Sequence, residues 1–233
     1  MVYEIPQGGI WVLLKVQKID APLNLSEMVY SSIKKSIVNM DWSNLPREIK
    51  LDERGVSEKL GVSRTPLREA IKRLVGEGFL RVESRKGLFV VNKSKADMME
   101  ILLVRSVLEG LGARLAASRA TQEDIHKMKM IFSPFSKKNA TRNYSKYSEA
   151  NIKFHEFILQ LSQCRKLIEM AGNIFDHMRW IRSWSIYNAT FQKRFPKVHK
   201  EHLEIIKAIE KRDPDLAEKR IKAHVEGLLH LLE

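Results

Sequence analysis

Cysteine is almost absent from this sequence: Cys164 stands alone among 233 residues. One thiol can neither close an intramolecular disulfide nor build a cysteine-rich zinc site, which excludes small secreted disulfide scaffolds and zinc fingers. A reducing, cytoplasmic setting is expected. Long apolar runs are missing as well. The longest near the N-terminus, Ile10 to Leu14, is cut by Lys15, whereas a spanning helix needs about 20 apolar residues. The same run lacks the basic region and the A-x-A cleavage site of a secretory signal, so no membrane partner is expected. Repeats and low-complexity tracts are not found, and 44% hydrophobic with 30% charged residues excludes a disordered or collagen-like chain. What the chain has in excess is positive charge, 41 Lys and Arg against 28 Asp and Glu, a net of +13. That balance suits a polyanion, nucleic acid ahead of a membrane surface, although solvated lysines produce the same total. The excess is spread nearly evenly per residue along the chain, so local clustering is the better guide. Arg64, Arg68, Lys72 and Arg73 lie close together with only Glu69 opposing them.

Periodicity divides the chain in two. Val29, Ile33 and Ile37 recur every fourth residue and predict a helix over 25–39; Leu45 and Pro46 break it. A short helix over 52–60, ended by Gly61, and another over 63–75, stopped by Gly76-Glu77-Gly78, form a helix-turn-helix signal. The period then shortens: Phe79 to Glu83 and Leu88 to Val91 read as a hairpin with a basic tip, Ser84-Arg85-Lys86-Gly87. From Ser94 onward six helices are expected, near 95–119, 121–138, 143–162, 164–188, 194–211 and 214–232. Ser94 before Asp97, Thr121 before Asp124, and Asp213 before Pro214 mark their starts. The expected fold is mainly α: an extension over 1–22, a winged helix-turn-helix of three helices and a small hairpin over 23–93, and an all-helical bundle over 94–233. Gly8 to Val16 either adds a strand against the winged helix or is mobile.

The helix following Ser63 has the chemistry of a DNA reader. Ser63 is placed to cap it, Pro66 falls in the first turn where a missing N–H costs little, and Leu67, Ile71 and Leu74 form an inward stripe. Arg64, Arg68 and Lys72 then share an outward line. An arginine fork there can pair with guanine O6 and N7 in the major groove, worth roughly 1–3 kcal/mol of discrimination per contact. Ser63 and Thr65 are placed for phosphates, which position without reading sequence. The plainer alternative is a solvated basic face on a core helix.

All seven histidines fall after Ser94. Asn151 and His155 are four apart on one helix face with Ile158 and Ser162. His202 shares a face with Ile206 and Ile209, and His224 with Ile221, Leu228 and Leu232. A lone inward histidine is usually a satisfied core residue; three, with an amide, suit one divalent ion, and imidazoles favour zinc or nickel. A metal-free pocket in which the histidines bind a ligand directly is the alternative. His199 lies three before His202, while His126, His177 and His230 are read as surface or core. Arg105 lies on the apolar stripe of Met98, Ile101, Leu102, Leu108 and Leu115, and a buried guanidinium needs either Glu109 one turn on or an acidic ligand. Trp180, Trp184, Arg179 and Arg182 line either the same cavity or a core or dimer face.

G-V-S-R-T-P-L-R-E-A-I-K-R-L over 61–74, then E-G-F-L and R-K-G-L-F-V, closely resembles the winged helix-turn-helix of the GntR family of bacterial transcription regulators. Val104-Arg105-Ser106-Val107-Leu108-Glu109, Ala113-Arg114-Leu115-Ala116-Ala117, Phe154-His155, Glu201-His202 and Ala223-His224 resemble its FadR-like branch, whose helical FCD domain binds ligands. The resemblance implies DNA contacts from Arg54, Ser63, Arg64, Thr65 and Arg68, and a wing-tip glycine at Gly87 that lets the backbone approach the minor groove. It also implies a metal site at Asn151, His155, His202 and His224, and a carboxylate effector held by Arg105. Two departures stand out. Pro46-Arg47 replaces the usual Pro-Gly before the second helix, and Asn151 stands where Asp is common, removing one negative charge from the site.

The implied protein is a homodimeric DNA-binding regulator of a short palindromic operator, modulated by a small organic acid, and not an enzyme. A regulator without metal or ligand sensing is the first alternative. A metal-dependent hydrolase is the second, but no H-E-x-x-H occurs, and no serine or cysteine has a nucleophile elbow.

Overall fold

The structure is a computed structural model, and the residues it describes are 3–4, 10–11, 24–40, 48–135, 144–181 and 185–229. The chain divides into two compact units, 1–93 and 94–233.

The first unit holds α1 (Leu25–Val38), α2 (Glu53–Leu60) and α3 (Arg64–Gly76). The four-residue period of α1 is a packing face: Val29, Ile33 and Ile37 are fully buried, as are Leu60 and Leu74. Asp52 caps α2 through the amide of Arg54, and Gly61 ends it in the left-handed conformation, φ 66°. Ser63 occupies the N-cap position of α3, but its side chain makes no capping bond. That corrects the expected cap and leaves the hydroxyl for another acceptor.

The hairpin is β4 (Leu80–Glu83) and β5 (Gly87–Val90), and it is part of a larger sheet. With β1 (Tyr3–Glu4), β2 (Ile10–Trp11) and β3 (Ile49–Leu51), the order is β1-β2-β3-β5-β4. β3 pairs antiparallel with β5, Lys50 opposite Phe89. β2 runs parallel to β3, Trp11 opposite Lys50. The strand suggested within Gly8 to Val16 is therefore present, and β3, which periodicity missed, carries it. Three residues are too few to show alternation in a sequence.

The second unit consists, among its described residues, of α4 (Lys95–Arg119), α5 (Gln122–Phe132), α6 (Tyr144–Leu161), α7 (Arg165–Ile181), α8 (Ser185–Glu210) and α9 (Pro214–Glu226). Ser94 with Asp97, and Thr121 with Asp124, form reciprocal capping boxes. Asp213 caps α9 ahead of Pro214. Several boundaries differ from the sequence reading: α5 ends at Phe132 instead of near 138, α7 ends at Ile181 instead of near 188, α9 ends at Glu226 instead of near 232, and α8 begins at Ser185 and runs through Pro196 instead of starting near 194. A proline within a helix removes one backbone hydrogen bond, and the rest of a long packed helix can carry that loss. α4 threads the bundle, burying Met98, Leu102, Ala113, Ala116 and Ala117. Gly112 lets it close on α6, where an added Cβ would lie 2.6 Å from Leu159 Cδ2. No described helix is long and apolar enough to cross a membrane.

Candidate functional site

Two constellations stand out, one in each unit. In the first, Arg54 on α2 and Arg64, Thr65 and Arg68 on α3 are all exposed, and Ser63 is exposed just before them. Glu53, Arg54, Arg64, Leu67 and Arg68 line a cleft of about 170 Å³ between the two helices. Arg54 pairs with Glu58 one turn on, Nε to Oε1 2.9 Å, in a solvent-exposed contact of little energetic weight. Arg64, Arg68 and Lys72 have no ion-pair partner among the described residues. Arg73 differs from the expected cluster. It turns to α1, pairs with Glu27 at 2.5 Å and Glu77 at 3.1 Å, and lies over the Tyr30 ring. The opposing acid, Glu69, accepts a hydrogen bond from Ser26. The face therefore offers three uncommitted cations one turn apart, suited to phosphates and base edges.

At the wing, Gly87 has φ 117°, a conformation L side chains rarely adopt, and an added Cβ would meet Lys50 Cε at 2.9 Å. Arg85, also at positive φ, and Lys86 are exposed at its tip. Pro46 and Arg47 lie outside the described residues.

The second constellation is a buried histidine centre. His155 on α6, His202 on α8 and His224 on α9 are at most 2% exposed, and ligand nitrogens of the three lie within 4.8 Å of one another. Asn151, one turn before His155, is buried as well. Each ring has an outer partner at Nδ1. His155 Nδ1 is 2.6 Å from Glu109 Oε2, His224 Nδ1 is 2.8 Å from Glu201 Oε2, and His202 Nδ1 is 2.9 Å from the Tyr147 hydroxyl. Phe132 stacks on His202, centroids 4.5 Å apart.

Charge within this centre is tightly constrained. Burial works against ionisation of Glu109, yet the Arg105 guanidinium, with the contact to His155, outweighs it and holds the carboxyl down at about 2. Arg105 Nε lies 2.5 Å from Glu109 Oε1, with both side chains buried. Burial pushes His155 down to about 4, against the pull of Glu109, and pushes His202 well below the ordinary imidazole range. Burial also raises the Tyr147 phenol. His155 is thus a neutral imidazole at neutral pH, facing an ionised carboxylate.

A divalent ion fits this donor set. An ionised carboxylate only accepts, so Glu109 and Glu201 each require a proton on the facing Nδ1. The Nε2 atoms of His155 and His224 then carry lone pairs, and they face each other at 3.2 Å. Two lone pairs at that distance repel unless a cation lies between them. The spacing is close to that of two nitrogens bound at about 2.0–2.1 Å to one zinc ion. His202 Nε2 and Asn151 Oδ1 are buried without a hydrogen-bond partner among the described residues, a costly state that a metal bond would relieve; His155 Nδ1 and Glu109 Oε2 approach each other closely but out of hydrogen-bond alignment.

The remaining expectations fall into place unevenly. His199 is half-buried near Phe132 and Tyr147 and does not join the cluster. His126 is exposed, His177 is buried beside Trp180, and His230 lies outside the described residues. Trp180 is wholly buried, and Arg179 pairs with Glu156 and Asp176. Arg182 and Trp184 lie outside the described residues. Sequence reasoning missed Tyr147, and it missed Glu201, whose neighbour in the chain is His202 but whose partner is His224. No spacing rule connects residues 201 and 224; only the packing of α8 on α9 does.

Family models match each of the two units. The family described as bacterial regulatory proteins, gntR family, matches over residues 25–90, and the FCD domain over 100–227. The HTH-type transcriptional regulator YdhC of Bacillus subtilis is 29% identical, over 93% of this chain and 96% of its own. The Uxu operon regulator of Haemophilus influenzae is 27% identical, over 83% of this chain and 82% of its own. Among solved structures, Escherichia coli McbR/YncC superposes with a TM-score of 0.69 at 20% identity, covering 91% of this chain and 98% of that one. At that identity the likeness shows the shared fold.

Proposed function

The chain belongs to the GntR family of bacterial transcriptional regulators and carries an FCD domain, and from that premise we propose a ligand-responsive, metal-containing homodimer. In this reading α3 enters the major groove of a short, imperfectly palindromic operator. Arg64 and Arg68 address base edges. Arg54, Ser63 and Thr65 address phosphates, and Gly87 brings the wing backbone to the minor groove. A DNA target places its work in the cytoplasm. The relatives it matches are named as regulators, not enzymes.

One observation carries the metal reading: the Nε2 atoms of His155 and His224 at 3.2 Å, both backed by carboxylates. His155, His202, His224 and Asn151 would hold the ion, with zinc or nickel favoured by three imidazoles. Asn151 contributes a neutral oxygen, so the donor set brings no negative charge of its own. A bound divalent ion supplies an electrophilic position at which an anionic oxygen is welcome. Arg105 faces the same task from the protein side: its Nε is committed to Glu109, while its terminal nitrogens make no hydrogen bond among the described residues. A small carboxylate bridging the centre and Arg105 satisfies both.

The dimer reading is supported by α4. Leu103, Val104, Val107 and Leu111 are 44–62% exposed on one stripe of this helix, an unusual outward display for the element that threads the bundle. The stripe is self-complementary. Antiparallel pairing about Val107 sets Leu103 against the partner's Leu111 and Glu100 toward the partner's Arg114. A two-fold protein meets a two-fold operator, and one winged helix alone buries little surface. Regulation then requires the carboxylate to bind the DNA-bound and DNA-free arrangements unequally, with a coupling of about 1–3 kcal/mol.

The test combines elemental analysis of protein purified without chelators with operator titrations, with and without a panel of small carboxylic acids. One equivalent of a transition metal per chain, and a 5- to 150-fold change in operator affinity with one acid, is expected. Protein free of metal that still responds to an acid would replace the metal with direct ligand binding by the histidines. Metal present with no response across the panel would leave a regulator that does not sense carboxylates.

A further inference from the structure

We propose that Glu109, Glu201 and Tyr147 are positioning residues that set the tautomer and aim of the three imidazoles, and that Arg105 acts on the centre through Glu109. This inference rests on the metal reading above and says which residues outside the donor set make it work.

The three outer contacts follow one plan. Each ring turns Nδ1 outward to a named partner, at 2.6, 2.8 and 2.9 Å; the last two are hydrogen bonds, while His155 and Glu109 meet at ion-pair distance without hydrogen-bond alignment. Each outward Nδ1–H leaves Nε2 as the inward donor atom, because a neutral imidazole has one donor and one acceptor nitrogen. A carboxylate enforces that choice, since it can only accept; a phenol permits it, since its oxygen can accept or its hydroxyl donate. The centre therefore contains two rings with an imposed tautomer, His155 and His224, and one with a permitted tautomer, His202.

The partners also bind the helices together in sequence. Glu109 of α4 serves His155 of α6; Tyr147 of α6 serves His202 of α8; Glu201 of α8 serves His224 of α9. Every outer contact thus crosses from one helix to another, and the aim of each ring depends on the placement of its partner's helix. Arg105 completes the first link. Its Nε on Glu109 Oε1 holds the buried carboxyl in place and leaves Oε2 facing His155. Outer partners of metal-bound histidines are worth 10- to 100-fold in metal affinity, because they fix ring orientation and raise ligand basicity.

The experiment uses the full chain stripped of metal, with zinc affinity read by competition against a chromophoric chelator and cobalt(II) binding read by its visible d–d spectrum. Wild type, Glu109→Gln, Glu201→Gln and Tyr147→Phe are compared, with far-UV circular dichroism as the check on folding. Glu109→Gln and Glu201→Gln are expected to bind zinc 10- to 100-fold more weakly, and Tyr147→Phe less than 10-fold more weakly with an altered cobalt spectrum. Glu201 is partly exposed, so Glu201→Gln remains informative should the buried Glu109→Gln fail to fold. Wild type that binds neither metal overturns the metal reading and this inference with it. Wild type that binds, beside folded variants within twofold of it and with an unchanged cobalt spectrum, overturns the positioning roles and leaves the metal reading standing.

Discussion

Arg105→Met removes the guanidinium from a pair in which neither side chain reaches solvent: Arg105 is 2% and Glu109 1% exposed. The variant leaves Glu109 buried without its cation, so the carboxyl must either stay ionised against its desolvation cost or take up a proton. Breaking a buried pair from one side typically costs about 3–5 kcal/mol. Glu109→Leu leaves Arg105 uncompensated and should cost a similar amount. Arg105→Met with Glu109→Leu removes both charges, and what then remains unsatisfied is the outward Nδ1–H of His155, about 1–3 kcal/mol. The double variant is thus expected to be more stable than either single one, a coupling of several kcal/mol of opposite sign to simple addition. Urea titration of the metal-free chain, followed by far-UV circular dichroism, reads this directly. With a slope of roughly 2 kcal/mol per molar urea, each single variant should lower the midpoint of the helical unit by about 2 M. Single variants within about 1 kcal/mol of wild type, or a double variant as unstable as the two losses added together, would refute the reading of Arg105 and Glu109 as one buried unit.

Further expectations concern the other unit and the assembly. Arg64→Ala and Arg68→Ala should each lose about 1–3 kcal/mol of specific operator affinity and relax base choice at one position per half-site, read by fluorescence anisotropy with operator variants; full affinity in both would remove α3 from the groove. Val107→Glu places a charge at the centre of the α4 stripe and should convert a dimer to a monomer in sedimentation at micromolar concentration, and a dimer of unchanged strength would move the interface elsewhere. Glu77 accepts from Tyr30 and Lys34 and pairs with Arg73; burial opposes its ionisation, but these contacts hold its carboxyl below the usual range. Its contribution is therefore complete above the unfolded carboxylate value and is lost as pH falls through the depressed folded one. Glu77→Gln should flatten that part of the acid limb of thermal stability, and an unchanged limb would assign the shift no energetic weight.

In the proposed function, regulation by a carboxylate is a matter of differential affinity, and the histidine centre has a construction suited to it. His155, His202 and His224 come from three helices, and their outer partners bring in a fourth, so an anion bound there favours one relative placement of all four. α4, which carries Arg105 and Glu109 inward and the Val107 stripe outward, begins directly after the DNA-binding unit ends at Lys93. The same helix therefore touches the histidine centre, presents the proposed dimer face and follows the DNA-binding unit in the chain.

Much of this was legible in the sequence because the governing physics is local. The cap pairs Ser94 with Asp97 and Thr121 with Asp124, the left-handed stop at Gly61, the four-residue stripe of α1 and the line of Arg64 and Arg68 are set by interactions within a turn or two of chain, and spacing reports them. The inward placement of His155, His202 and His224 was legible for the same reason, since each shares a helix face with aliphatic neighbours. Other features depend on residues that meet only when elements pack. β3 is three residues long, and its pairing with β5 makes it a strand. Arg73 looks like part of the basic cluster until α1 packs on α3 and supplies Glu27 and the Tyr30 ring, beside the local partner Glu77. Ser63 stands at a cap position, but whether its hydroxyl caps is decided by the backbone and side-chain geometry there. Glu201 lies beside His202 in the chain and supports His224 in space, because adjacent residues on a helix point about 100° apart while α9 brings its histidine to the other side. A helical period tells which way a side chain faces; only the packing of one helix against the next tells what it will find there.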